Sequence, residues 1–140
     1  MTRKTICTIG VLLGSAAAVL AAKGDNQKLL GTWQRNIDDN HMVKFAFKAE
    51  DLHVTITSAD AVVDVDADYG VTANGILYGI VTHVDKKGTE GGPVEGQLFS
   101  FRFSVSDNKD ALKITEVKGT DITDESRQLI EGDYAPEKKK

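Results

Sequence analysis

At 140 residues with a formal charge of -4, the chain has room for one domain, which buries about two thirds of its unfolded surface. Its acids and bases are interspersed rather than blocked, so nothing draws it toward polyanions such as nucleic acid. The one cysteine, Cys7, falls ahead of most of the first apolar run, so the rest of the chain has no disulfide staple, thiolate metal site or cysteine nucleophile.

Arg3 and Lys4 precede an apolar stretch from Ile6 to Ala22 that ends in small residues, the layout of a secretory signal peptide. Gly10, Gly14, Ser15 and the Ala16-Ala17-Ala18 run make it weakly hydrophobic for a permanent anchor. Val19 and Ala21 satisfy the small-residue rule for cleavage before Ala22, and a cut before Lys23 is nearly as good. Residues 1–22 are therefore expected to be a helical leader, and the product to be secreted or periplasmic, with no membrane insertion after cleavage. A lipid-bearing cysteine would follow the apolar run, which Cys7 does not. Losing Arg3 and Lys4 takes the formal charge from -4 to -6.

The expected domain spans 23–136. From Trp33 onward, short alternating segments are separated by turn residues, which predicts an antiparallel sheet with one buried face. Strands are expected over Thr32–Ile37, Met42–Lys48, Leu52–Ser58, Val62–Val71, Ile76–Asp85, Gln97–Ser106, Ala111–Lys118 and Arg127–Tyr134. Connectors such as Asp38-Asp39-Asn40, Ala73-Asn74-Gly75 and Asp107-Asn108-Lys109-Asp110 carry suitable turn chemistry. The last strand has a rival, because Thr123-Asp124-Glu125-Ser126 is also the cap of a short helix running to Gly132. The tail Glu137-Lys138-Lys139-Lys140 is expected to be solvated and disordered.

The alternation is clearest where Phe99, Phe101, Phe103 and Val105 oppose Ser100, Arg102, Ser104 and Ser106. That row buries several kcal/mol, at roughly 1.5 to 3 per large side chain. Sequential strands without a crossover helix favour an up-and-down arrangement, and eight strands close into a barrel without edges. The expected fold is thus all-β, an antiparallel eight-stranded barrel.

Leu29-Leu30-Gly31-Thr32-Trp33 opens the domain, and here the chain resembles the lipocalin-like (calycin) barrels, whose first strand carries a Gly-x-Trp motif. The resemblance implies structural roles for Gly31 and Trp33, with the indole plugging one end of the barrel. It also implies a basic residue of the last strand lying across that indole, for which Arg127 is the candidate. The family's paired cysteines and its Thr-Asp-Tyr motif are missing from this chain.

The remaining polar constellations fit architecture better than chemistry. Asp64, Asp66 and Asp68 stand about 7 Å apart along one strand face, parallel rather than convergent, as on a solvated exterior that resists edge pairing. His41, His53 and His83 match no zinc spacing, and Gly88-Thr89-Glu90-Gly91-Gly92 lacks the Lys-Ser/Thr of a phosphate loop. Neither a catalytic set, a cofactor nor a metal site is expected. The expected function is that of an exported, non-catalytic binding protein for a small apolar ligand, with Phe45, Phe47, Tyr78, Phe99, Phe101 and Phe103 as pocket residues. The rival is a protein-protein interaction module or periplasmic inhibitor without a cavity, engaging an extracytoplasmic protein through a loop such as Lys86–Glu95.

Overall fold

The computed structural model describes residues 27–137, so the expected leader 1–22 and the basic residues 138–140 lie outside the described residues. Among the described residues eight strands, β1 (Gly31–Asp38), β2 (His41–Phe47), β3 (Asp51–Thr57), β4 (Val62–Val71), β5 (Ile76–Lys87), β6 (Leu98–Val105), β7 (Leu112–Gly119) and β8 (Gly132–Pro136), run in sequence order, with the helix α1 (Asp124–Ile130) between β7 and β8. They form a closed antiparallel barrel in which each strand pairs with its neighbour and β8 returns to β1. The expected up-and-down architecture is the one observed.

Strict alternation in β2, β3 and β4 drives the closure. Val43, Phe45 and Phe47, Leu52 and Val54, and Val63, Val65 and Ala67 are all buried, while the residues between them are more exposed. A sheet with one such face must cover it, and rolling up does so without leaving an edge. Because every hairpin reverses direction, connections 48–50, 72–75 and 106–111 lie at one end of the barrel. Connections 39–40, 58–61, 88–97 and 120–131 lie at the other. The chain enters at the first end, where Leu29 is fully buried and its carbonyl accepts the Trp33 indole N–H at 2.8 Å. A buried indole needs such an acceptor, and this end is thereby sealed.

Phe45 is the centre of the interior. Its ring stacks on Phe47 at 5.5 Å and meets Phe101 and Tyr134 edge-on at 5.9 and 5.4 Å. Such pairs add about 0.5 to 1.5 kcal/mol each beyond area burial. The aromatic cluster joins β2, β6 and β8 across the lumen, which is why so much of the barrel is solid.

Expectation fails at the last strand. Arg127–Tyr134 is not one strand: residues 124–130 are helical and β8 starts at Gly132. Thr123 is the N-cap and accepts from Ser126 N–H at 3.1 Å, and Asp124 and Glu125 occupy the first turn, where carboxylates favour the helix dipole. That local chemistry outweighs the weak alternation of the segment, and the helical rival is the one realised. Gly132 then turns the chain into β8 at φ 148, with the Arg35 guanidinium lying directly over its Cα, where any Cβ would sit within 2.3 Å of Nε. The guanidinium reaches past it to donate to Leu129 O at 2.7 Å.

The closing seam is short. β8 pairs with β1 only at Trp33↔Pro136 and Gln34↔Ala135 and with β7 at three positions, Leu112↔Tyr134, Lys113↔Asp133 and Ile114↔Gly132. Glu137, expected in the disordered tail, extends the seam: its N–H donates to Thr32 O at 2.9 Å and its carboxylate pairs with Lys44 at 2.7 Å. What fixes β8 is Tyr134, 2% exposed, whose ring enters the aromatic cluster and whose hydroxyl donates to Ile130 O at 2.6 Å. Burial raises this phenol above its ordinary range, against a smaller opposing pull from Arg35, so it stays a donor at any working pH. Tyr134→Ala should cost about 3 to 5 kcal/mol, as other large aromatic truncations do. Tyr134→Phe, which loses only the hydrogen bond, should cost about 1 kcal/mol. Urea unfolding of both variants checks the ratio, and equal losses would show that the ring does not hold the seam.

Candidate functional site

The end opposite Trp33 is where the barrel stays incompletely filled. β5 continues beside β4 as far as the pair Val62↔Lys87, but β6 joins β5 only from Ile80↔Leu98 onward. Residues 88–97 therefore cross this end as a strap. The strap is tied down at its foot, where Val81 N–H donates to Gln97 O at 2.9 Å and Gly96 N–H to Val81 O at 2.8 Å. The Gln97 side chain then works in two directions, donating to Thr120 O at 2.8 Å and accepting from Val94 N–H at 3.1 Å. One amide thus links the strap to the turn between β7 and α1.

Beneath this link lies a cavity of about 90 Å³ opening toward solvent, with walls from Phe45, Val54, Ile56, Val65, Val81, Phe99, Phe101 and Val117 and a rim from Pro93, Gln97, Leu98, Thr120, Ile122 and Ile130. Two local irregularities shape it. A bulge between Ser100 and Arg102 on the β6–β7 pair puts Glu116 at φ 53. Glu116 thereby faces outward to bond Arg102 at 2.9 Å, while Val117 faces inward and its N–H donates to Glu131 Oε2 at 3.0 Å. Bulges re-aim side chains in this way. On the neighbouring β5–β6 pair the Phe99 ring lies across Gly79, where a Cβ would sit within 2.3 Å of the ring. Only glycine lets the ring lie flat there and leave the cavity open.

Of the expected pocket residues, Phe45, Phe99 and Phe101 line this cavity. Phe47 is buried below them, stacked on Phe45 and edge-on to Tyr69 at 5.7 Å, and Phe103 is buried away from the cavity. Tyr78 is a correction: it is 56% exposed on the outer wall, because its neighbours Leu77 and Gly79 hold the inward positions of β5 and side chains alternate. Arg127 is a second correction. It lies on α1 rather than on the last strand, with its guanidinium bonded to Asp124 at 3.1 Å and Val117 O at 3.3 Å. Gly31, at φ 119, begins β1. Overlooked in the sequence were the aliphatic walls and rim; Val54, Ile56 and Val65 carried the signal in their period of two, whereas Val117, Ile122 and Ile130 depend on the bulge and the helix.

On the outer wall, the β3–β4 register sets His53 opposite Asp66 and Thr55 opposite Asp64. The imidazole lies between two carboxylates, Nδ1 to Asp66 at 2.6 Å and Nε2 to Asp64 at 3.0 Å, and Asp64 also accepts from Thr55. Both ring nitrogens are held as donors only in the charged form. The Asp66 hydrogen bond foremost, then Asp64, raises the His53 pKa against partial desolvation. Two of the three aspartates, Asp64 and Asp66, thus engage the imidazole rather than standing wholly solvated. Among the described residues no group of three His, Cys, Asp or Glu side chains is arranged to hold a metal ion.

A raised histidine value means stability that is full below the unfolded pKa of 6.5 and lost as pH rises through the higher native value. The difference in unfolding midpoint between the wild type and His53→Gln should therefore be largest in mild acid and shrink on going alkaline. A difference that is constant or growing with pH would remove the charged clamp. The architecture has no matched relative to lend it chemistry: no family model, curated protein or solved structure matches this chain.

Proposed function

We propose that the protein is an exported, non-catalytic binding protein of the lipocalin-like type that takes a small apolar molecule into the strap-covered end of its barrel. The observation that carries this reading is the cavity itself, whose walls are aliphatic and aromatic and whose polar side chains are Gln97 and Thr120. An apolar void of this kind favours an apolar guest over water. The leader-like residues 1–22 support action outside the cytoplasm.

Size narrows the ligand class. At about 90 Å³ the space is well below the roughly 300 to 1,000 Å³ of pockets that swallow a drug-sized ligand. The guest is thus a compact hydrocarbon-like molecule or the end of a longer one whose polar part stays at the rim, within reach of the Gln97 amide. Burying about four methylenes at about 0.8 kcal/mol each supports no more than roughly millimolar affinity. Tighter binding requires the strap to move and admit more of the ligand.

The second reading, an interaction module acting through residues 86–95, draws support from Val94, 51% exposed on a strap whose Gly92 has open space around it. The two separate in a methyl-detected NMR titration with benzene. The binding protein should show saturable shifts at Val65, Val81 and Val117, abolished in Gly79→Ala, where the added methyl drives the Phe99 ring into the cavity. Shifts confined to the strap, or shifts indifferent to Gly79→Ala, would contradict the cavity as the binding site.

A further inference from the structure

β5 is longer than the strand that covers its second edge. Along its first half it pairs with β6, from Ile76↔Arg102 to Ile80↔Leu98, and Val81 completes this contact through Gln97 O and Gly96 N–H. Beyond Val81, as far as Lys87, its paired neighbour is β4 on one side only. Hydrogen-bond parity identifies the groups left over. Ser58 N–H donates to Ala61 O at 2.8 Å, so these two are a bonded pair of the β3–β4 hairpin. Bonded pairs recur at every second residue of an antiparallel ladder. Val63 and Val65 therefore bond to β3, while Val62, Asp64 and Asp66 turn to β5, where they meet Lys87, Asp85 and His83. Val84 and Lys86 thus point their N–H and C=O groups away from β4, and among the described residues no backbone group meets them there.

The strap leaves that edge unpaired. Gly88, at φ 83, turns it against the 58–61 hairpin, where a Cβ would come within 2.1 Å of Asp60 O. Apart from Pro93, its residues 88–96 are exposed. The Lys86 ammonium reaches it, donating to Glu90 O at 3.3 Å. The edge also adjoins the cavity, which has Val81 in its wall and Pro93 and Gln97 on its rim. Thr82 and His83 are both exposed at the bulge opposite Asp66, so the next inward side chain after Val81 is Val84, half-buried and packed against the core.

We propose that the β5 edge at Val84 and Lys86 takes an extended peptide segment of another protein as an added strand, with one apolar side chain of that segment entering the cavity. This rests on the cavity being the binding site, and it names the guest. Orphan N–H and C=O groups two residues apart need partners at the same spacing, which a peptide strand supplies and a compact hydrocarbon does not. An antiparallel strand, the direction β6 already takes, sets one residue in a bonded pair with Val84. That residue shares the face of Val84 and so points inward beside Val81, where about 90 Å³ suits one aliphatic side chain of leucine size. Lys86 shares this face, and among the described residues its ammonium meets the Glu90 carbonyl and no carboxylate. An acidic residue opposite Lys86, two positions before the apolar one, completes a cross-strand pair of opposite charge.

An NMR titration with a short capped peptide tests this, the peptide being threonine throughout except for a glutamate two positions before a single leucine. Saturable shifts of the Val84 and Lys86 amides and of the Val65 and Val81 methyls are expected, with amide exchange at Val84 and Lys86 slowed at least tenfold. N-methylation of the peptide leucine removes the N–H that bonds Val84 O and should raise the dissociation constant at least tenfold, as should glycine in place of that leucine. Val84→Pro deletes the edge N–H without taking a bond from β4. It should abolish peptide binding while the benzene shifts persist. Benzene binding without peptide protection of Val84 and Lys86 overturns the edge site and leaves the cavity standing. Silence toward both probes removes the cavity and the edge site together. Peptide binding indifferent to N-methylation also overturns the proposal.

Discussion

Everything in this barrel depends on its closure by β8. A rolled sheet without its seam would expose the apolar faces of β1 and β7 and leave two long edges, and the seam has few backbone pairs with which to prevent this. The work falls on side chains: Tyr134 enters the aromatic cluster and bonds Ile130 O, Arg35 bonds Leu129 O, and Lys44 pairs with Glu137. Three of these bonds involve α1 or the residues just after β8. The helix is thus part of how the barrel closes rather than an ornament on it.

The same closure sets the interior. With Tyr134, Phe45, Phe47 and Phe101 meeting in the lumen and Leu29 and Trp33 buried at the first end, side chains fill much of the barrel. The apolar cavity lies where β6 stops short of the full length of β5 and where the β7 bulge, the α1 turn and the strap replace regular wall. Function is therefore sought where sheet regularity ends, which is also where loops are free to vary on a rigid frame. Gln97, bonded to both Thr120 and Val94, is the residue that ties these irregular parts together.

The fold was legible because burial in β2, β3, β4 and β6 follows a strict period of two, so hydrophobicity alone assigned face and element. Tyr78 was misplaced although the parity of Leu77 and Val81 already consigned it to the exterior. Arg127 was misassigned because the capping chemistry of Thr123 competes with a faint alternation, and at that site local hydrogen bonding wins. The His53 clamp lay in the register. Once the 58–61 connection pairs Thr57 with Val62, His53 must face Asp66, and three residues that look like separate surface charges become one group. Val117 was hidden because a bulge shifts the phase of β7, and no periodic pattern encodes a phase shift in advance.

The most direct measurement is a crystal structure of the protein under xenon pressure. Xenon occupies voids that are apolar and dry and finds no purchase in solid packing or among ordered waters. A xenon atom bounded by Val65, Val81, Phe101 and Val117 is the predicted result. Continuous side-chain packing there, or hydrogen-bonded water in place of the gas, would contradict a barrel built to hold an apolar guest.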